Sequence, residues 1–224
     1  MRLSPQSSVL SPQSSSRPRS SAWKEQRPSK PWVAGSNPAG DAIVRTISAA
    51  IICLQLCAVA RADSPTGTKL AQAALAQVGV TTIYDPSYAK LRYPGGDLPA
   101  SHGVCSDVVI RAFRAIGIDL QVAVHEDMLR NFRRYPQMWG LRGPDANIDH
   151  RRVPNLMRFF ERHGKSKAIN GRYEPGDVVA WRLPNGLYHI GIVASDPAVV
   201  HNIGYGAQKE DVLRAFQIIG HYRW

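Results

Sequence analysis

The sequence predicts an α+β domain in which helices come first and an antiparallel sheet follows. In the middle of the chain, apolar residues recur at helical spacing, as in Val109, Ile110, Phe113 and Ile116. From Glu174 the period changes to that of strands separated by turn residues. With 224 residues, 44% of them hydrophobic, the chain is long enough to bury one core.

Segments with apolar residues on one face predict helices at 69–78, 106–116, 125–134 and 153–163. Gly79, Gly117 and Gly164 follow three of them, since glycine readily takes the positive φ at a helix C-terminus. A loop dense in turn residues fills 84–103. Cys105 therefore falls at the N-terminus of the second helix.

Strands are expected at 178–181, 188–194, 198–202 and 216–224, with turn signals between them. Pro175-Gly176 precedes the first strand, and Asn185-Gly186 is a hairpin signal. The helix that begins near Cys105 is expected to pack on this antiparallel sheet.

The first 62 residues carry signs of export. Arg45 precedes an apolar run that ends in Ala60-Arg61-Ala62, a small-x-small pattern typical of signal-peptide cleavage. We expect residues 45–62 to be a signal peptide cleaved after Ala62, leaving a single domain at 63–224 that is periplasmic or secreted. The run is shorter than the roughly 20 residues that a spanning helix needs, so no permanent membrane anchor is expected.

Residues 1–44 are rich in Ser, Pro and Arg and lack apolar periodicity, so they are expected to be a disordered extension or an over-extended gene start. Residues 1–62 hold eight Lys or Arg and two Asp or Glu, and so contribute +6 of the formal net charge of +11. The remaining positive charge suits an anionic cell-wall polymer as well as nucleic acid. No other feature indicates a nucleic-acid partner, and none is predicted.

The exported domain keeps one cysteine, Cys105, because Cys53 and Cys57 lie in the predicted signal peptide. A lone thiol in an oxidising compartment has no disulfide partner. At a helix N-terminus, unpaired N–H groups and the macrodipole favour the thiolate. Cys105 is therefore a candidate nucleophile, with its own amide and that of Ser106 as oxyanion donors. Burial as a small apolar side chain is the alternative.

His189, on a predicted strand, is the candidate base. It shares a face with Gly191, whose small size leaves room beside the imidazole. A polar side chain on a neighbouring strand can fix the tautomer of such a base. His201 and Asn202, on the next predicted strand, are the candidates for that role, and strand alternation lets only one of the two face His189. Two strand histidines without a role are the alternative.

Cys105, Pro175-Gly-Asp177, His189-Ile-Gly-Ile and His201 occur in the same order as in NlpC-type peptidases, which the chain resembles. This resemblance implies a papain-like NlpC-type fold with Cys105, His189 and His201 as catalytic residues. It also implies that Tyr93 lines the oxyanion site, as the family's tyrosine ahead of its cysteine does.

From residue 78 to 224 the chain resembles more closely the bacterial YijF-like proteins, a domain family of unknown function. The matching strings include Tyr84-Asp-Pro-Ser-Tyr88, Asn147-Ile-Asp-His-Arg-Arg-Val-Pro154 and His201-Asn-Ile-Gly204. The resemblance covers nearly the whole exported domain.

The chain departs from the NlpC pattern in two places. Val104-Cys105-Ser106-Asp107 replaces the usual Asp-Cys-Ser-Gly, and the Cys-to-His interval of 84 residues is longer than usual. The extra segment, 121–172, is expected to form a wall of the substrate site.

The candidate oxyanion and substrate-binding residues, besides Tyr93, are Ser106, Asp107, Asn202, Asp149, Arg151 and Arg152. The two arginines suit bidentate binding of a substrate carboxylate. The alternative for this stretch is a helix start with Asp149 as N-cap and solvated arginines.

The NlpC resemblance implies amide hydrolysis in cell-wall (peptidoglycan) peptides by a Cys-His-His mechanism. Acyl transfer or lipid-ester hydrolysis by the same dyad is one alternative, and a non-catalytic wall-binding module is another. No cofactor is expected, because no Gly-rich loop joins a strand to a helix. No metal site is predicted either, although His125, Glu126, Asp127, Asp149 and His150 are ligand types, because His-x-x-x-His and Cys-x-x-Cys spacings are absent.

Overall fold

The structure, a computed structural model, describes residues 64–224. The predicted signal peptide, its cleavage after Ala62 and the 44 residues before it lie outside the described residues, as do Cys53 and Cys57. None of the helices in 64–224 has the length and apolar character needed to cross a membrane.

The α-helices of the described region are α1 (Pro65–Leu75), α2 (Cys105–Ala115), α3 (Leu120–Asn131) and α4 (Val153–Arg162). Short 3₁₀ turns cover Phe132–Arg134 and Asp149–Arg151. Helix α1 begins four residues earlier than predicted because Pro65 is tolerated in a first turn. Helix α3 begins five residues earlier, because the Asp119 side chain accepts a hydrogen bond from the Gln121 amide and caps it.

The main sheet is antiparallel and contains β3 (Val178–Arg182), β4 (Tyr188–Ser195), β5 (Ala198–His201), β6 (Gln208–Glu210) and β7 (Gln217–Tyr222). Its strand order is β6-β5-β4-β3-β7. A separate parallel pair joins β1 (Ile83–Tyr84) to β2 (His102–Gly103). Strands β1, β2 and β6 were not predicted, because two or three residues are too few for alternation to be visible.

One face of the sheet packs on the helices. Ile190, Ile192 and Val200 from this face join Phe113 of α2 and Phe160 of α4 in the main core. The opposite face carries a smaller apolar cluster that includes Trp181, Val193 and Leu213. The predicted α+β class, with the cysteine helix packed on an antiparallel sheet, is therefore confirmed.

The Pro-Gly-Asp turn before β3 anchors the C-terminal strand. Asp177 accepts hydrogen bonds from His221 Nε2 at 2.8 Å and from Arg223 Nε and Nη2 at 2.7 Å each. Burial alone would raise the pKa of Asp177, but these hydrogen bonds outweigh it and lower the pKa. The motif therefore has a structural role that ties β3 to β7.

Candidate active site

Cys105 is the first residue of α2 and is 6% exposed. The Asp107 carboxylate accepts a hydrogen bond from the Val104 amide at 2.7 Å and so closes the start of the helix. Gly103 allows a close approach here, because a Cβ on it would lie 3.0 Å from Cβ of Asp107, and Asp107 would have to shift slightly. The local sequence therefore sets Cys105 in a tight turn against the helix N-terminus.

Burial raises the pKa of the Cys105 thiol to about 11. Hydrogen bonding from the Ile190 backbone opposes this effect, the nearby Asp107 charge adds to it, and the amides of Ser106 and Cys105 oppose it. The helix N-terminus alone predicted a thiolate, but loss of hydration outweighs it. The resting thiol is therefore protonated at neutral pH, and a base has to remove its proton.

His189 lies on β4, is 3% exposed and stacks on Trp181 with ring centroids 5.5 Å apart. Burial, and then the charge of His201, lowers the pKa of His189 to about 3, so its imidazole is neutral at neutral pH. Its Nε2 lies 2.8 Å from Nδ1 of His201. Cys105 lies beside the same strand at Ile190, although no hydrogen bond joins it to His189 within residues 64–224. Because Nε2 contacts His201, only Nδ1 of His189 could accept a proton from the Cys105 thiol.

The close approach of β5 to β4 depends on Gly191. A Cβ on Gly191 would lie 2.8 Å from Cγ1 of Val199 and 3.1 Å from Cβ of His201. Glycine at this position therefore lets the end of β5 bring the His201 imidazole against His189.

Asn202 points away from His189. Its Nδ2 donates to the carbonyl oxygen of Gly103 at 2.9 Å, and its Oδ1 accepts from the Gly204 amide at 3.1 Å. His201 and Asn202 thus serve different partners. His201 contacts the candidate base, and Asn202 contacts strand β2, which precedes the candidate nucleophile.

The tyrosine that lines the cavity at Cys105 is Tyr84, and Tyr93, which was expected there, is not among the lining residues. Tyr84 on β1 pairs with Gly103 on β2 and lines the cavities at both Cys105 and His189. Tyr93 instead packs edge-on against His125, with ring centroids 5.3 Å apart. Burial, followed by the neighbouring Cys105, raises the pKa of Tyr84, so its hydroxyl stays protonated and can donate a hydrogen bond.

Ser106, Asp107 and Arg151 form a structural network under the nucleophile. Arg151 Nε and Nη2 donate to the two Asp107 carboxylate oxygens at 3.0 Å each. Two more of its N–H groups donate to backbone carbonyls of Asp85 and Ser87, and Ser106 Oγ donates to the Arg151 carbonyl at 2.7 Å. Four of the five guanidinium N–H groups of Arg151 are therefore bound within the protein, so it is not the solvated arginine of the alternative, although it also lines the cavity at Cys105.

A cavity of about 380 Å³ opens at Cys105. Its walls are mostly apolar and include Pro86, Trp139, Ile148, Val153, Pro154 and Leu187. The predicted wall segment, 121–172, supplies four of these six residues.

Arg152 also lines this cavity and keeps donors for a ligand. Its guanidinium lies 4.1 Å above the Trp139 ring, and its Nη1 is 3.9 Å from Asp149 Oδ1, too far for a hydrogen bond. Asp149 is fully buried and does not cap α4, whose N-cap is Arg152. Burial raises the pKa of Asp149 to about 6.

A second cavity, of about 340 Å³, opens beside His189. Its lining is largely apolar and includes Leu183, Pro184, Leu187, Ile203 and Phe216. Tyr84, Leu187 and Tyr188 line both cavities. The cavity at the candidate nucleophile and the cavity at the candidate base are therefore neighbours that share three lining residues.

The acidic and histidine residues considered as metal ligands have other partners or no common site. Asp127 accepts hydrogen bonds from Arg162, Asn131 and Tyr135. No group of three or more His, Cys, Asp or Glu side chains in the described part of the chain is arranged to hold a metal ion.

Residues 71–224 match the protein family described as a domain of unknown function, DUF1287. The chain is 52% identical over 175 residues to the uncharacterized protein YijF of Escherichia coli (strain K12), covering 74% of this chain and 85% of that protein. Among solved structures, NlpC1 from Trichomonas vaginalis aligns with a TM-score of 0.42 and 14% identity, covering 74% of this chain and 46% of that one. This chain thus spans less than half of the NlpC1 chain, and a similarity at this level carries no argument about activity.

Proposed function

This chain belongs to the DUF1287 family, and from the geometry of its cleft we propose that it is a cysteine hydrolase with Cys105 as nucleophile and His189 as base. The relationship to YijF confirms the family that the sequence indicated. The observation that carries the proposal is the 2.8 Å contact between His189 and His201, beside a cysteine at a helix N-terminus. Two buried imidazoles in contact next to an open cleft suit proton transfer better than packing.

In the proposed reaction, neutral His189 takes the Cys105 proton on Nδ1 while the sulfur attacks a substrate carbonyl carbon. The negative charge that develops on the carbonyl oxygen is stabilised by the first amides of α2 and by the Tyr84 hydroxyl. His189 then gives its proton to the leaving amine as the C–N bond breaks, which leaves a thioester on Cys105. Water attacks the thioester with His189 again as base, releasing a carboxylic acid and restoring the thiol.

The proposed substrate is a peptide amide of the cell envelope, with peptidoglycan as the first candidate and the periplasm as the site of action. Arg152 supports this choice, because its guanidinium borders the Cys105 cavity and is not held by an acidic side chain at hydrogen-bond distance. Peptidoglycan stem peptides carry carboxylates that such a group can bind.

A second candidate function is acyl transfer or lipid-ester hydrolysis by the same dyad. It is favoured by the apolar lining of the cavity at His189, where Leu183, Ile203 and Phe216 would suit an alkyl chain.

The test is incubation of the full chain with purified peptidoglycan and with phospholipid vesicles, followed by mass spectrometry of the products. We expect a new carboxyl and a new amine in the peptidoglycan sample, and no product with Cys105→Ala or His189→Ala. New fatty acid from the vesicles would favour the second candidate instead.

A test without substrate follows Cys105 alkylation by iodoacetamide at pH 7, with mass spectrometry of the digested protein to separate Cys105 from Cys53 and Cys57. The wild-type thiol is expected to react faster than the thiol of His189→Ala, because the base assists the attack. Equal rates would overturn the assignment of His189 as base.

A further inference from the structure

A third side chain continues the histidine contact. Oε2 of Glu210 lies 2.9 Å from Nε2 of His201, within ion-pair distance, although the angle falls short of that of a hydrogen bond. The His201 side chain is 1% exposed and that of Glu210 is 41% exposed. The order Glu210, His201, His189 therefore runs from the surface to the cleft.

The register of β6 on β5 explains how Glu210 reaches this position. Glu210 is paired with Val199, and Gln208 is paired with His201. Val199 and His201 are two residues apart on one strand and share a face, so Glu210 is the diagonal neighbour of His201 across the strand pair. A glutamate side chain is long enough to span such a diagonal.

The carboxylate decides which nitrogen of His201 carries the proton. A carboxylate only accepts hydrogen bonds and, at 2.9 Å, its negative charge favours an N–H over a lone pair on Nε2 even off the hydrogen-bond axis, so the proton belongs on Nε2 of His201. Nδ1 of neutral His201 is then an acceptor, and it can be satisfied only by a proton on Nε2 of His189. His189 is left with an unprotonated Nδ1.

The opposite pair of tautomers satisfies the same 2.8 Å contact between the two histidines. In that pair His201 donates from Nδ1, and His189 carries its proton on Nδ1, where it cannot accept one from Cys105. The contact between the two histidines is equally compatible with both pairs of tautomers. The Glu210 charge on the far side of His201 favours the first pair.

We propose that Glu210 is a positioning residue that fixes the tautomer of His201 and, through it, holds Nδ1 of His189 ready to accept the Cys105 proton. This inference rests on the proposed function of the Cys105 and His189 pair. Glu210, from the three-residue edge strand β6, is thereby added to the residues on which the Cys105 and His189 pair depends.

The first test compares the Cys105 alkylation rate at pH 7 in full-length wild type, Glu210→Gln and Asp211→Asn. Glutamine keeps the size of the side chain but presents either an acceptor or a donor to His201. We expect at least about a twofold lower rate for Glu210→Gln, because the two tautomer pairs become comparable in energy without a charged acceptor. The matched control Asp211→Asn removes a charge from the exposed neighbouring residue and should react like wild type.

The second test reads the tautomers directly from ¹⁵N shifts of the imidazole nitrogens, and it does not depend on turnover. In wild type, His201 and His189 should both be protonated on Nε2, whereas Glu210→Gln should show mixed states. Added formate should restore part of the alkylation rate to Glu210→Ala, and chloride at the same ionic strength should not, because the lost side chain is partly exposed.

The outcomes separate the two proposals. If wild type alkylates no faster than His189→Ala, the proposed function fails. If wild type is faster but Glu210→Gln equals it, or if His201 carries its proton on Nδ1 in wild type, only the role of Glu210 is overturned.

Discussion

Asn202 donates a hydrogen bond from Nδ2 to the carbonyl oxygen of Gly103 at 2.9 Å, and so ties the end of β5 to β2, which leads into α2. The residue before Asn202 contacts His189, and the residue two places after Gly103 is Cys105. Two adjacent side chains thus hold the two halves of the candidate site, one through a histidine and the other through a backbone carbonyl.

This division predicts different effects for the two neighbouring substitutions. His201→Ala removes the partner of His189 but leaves nucleophile and base in place, so turnover should fall by less than the roughly 10²–10⁴-fold expected for His189→Ala, with KM little changed. Asn202→Ala should mainly lower the free energy of unfolding, by about 0.5–1.5 kcal/mol, because the Gly103 carbonyl loses one of its two donors and keeps the Asp85 amide. Steady-state kinetics and urea unfolding measure the two effects, and a larger loss of turnover in Asn202→Ala would contradict the assignment.

Tyr84→Phe should lower kcat by up to about 10²–10³-fold if its hydroxyl is one of the oxyanion donors. Folding should change little, because the Tyr84 side chain is partly exposed. Tyr93→Phe is the matched control and should retain wild-type kcat, since Tyr93 packs against His125. Equal kcat values for the two variants would remove Tyr84 from the mechanism.

Gly191→Ala should separate β5 from β4 where His201 meets His189. The added methyl group would lie 2.8 Å from Val199 Cγ1 and 2.9 Å from the Val200 carbonyl oxygen, so the strands must shift. We expect a loss of about 1–3 kcal/mol in unfolding free energy, together with slower Cys105 alkylation. Gly143→Ala, which would add a methyl group in open space, should change neither quantity.

The pH dependence of Cys105 alkylation follows from two opposite pKa shifts. Burial lowers the pKa of His189 to about 3 and raises that of Cys105 to about 11, so both groups are neutral between these values. The base is therefore in its working form from about pH 5 to pH 8, and the wild-type rate should be nearly flat over that range. In His189→Ala only the free thiolate reacts, so the rate should rise steadily with pH. A wild-type rate that falls about threefold between pH 7 and pH 6 would show that His189 titrates near its ordinary pKa of about 6.5.

The sequence predicted the parts of the fold and site that depend on local pattern. The start of α2 and strands β3 to β5 were placed within one residue, because apolar periodicity and turn residues are local signals. The contact between His201 and His189 was predicted from a turn and from strand alternation, which are also local signals. The high thiol pKa of Cys105 was not foreseen, because burial depends on what packs around a residue.

Residues whose roles depend on distant segments were misassigned or missed. Tyr93 is nearer to Cys105 in sequence. Tyr84 is nevertheless placed close to Cys105, because β1 pairs with β2 and so brings Tyr84 opposite Gly103. Glu210 was not considered, because its strand has only three residues and its partner His201 lies across a strand pair. In both cases strand pairing, which the sequence pattern did not show, decided which side chains meet.

The buried pair of Asp107 and Arg151 has a consequence for how relatives of this chain diverge. The two residues are 44 positions apart, and their side chains are only 4% and 3% exposed. Losing one partner leaves an unpaired charge in the interior and lowers the free energy of unfolding by about 3–5 kcal/mol, whereas replacing both residues with apolar ones can be tolerated. Homologues should therefore keep both residues or replace both, and the two positions should covary in an alignment as a single unit of selection beneath the nucleophile.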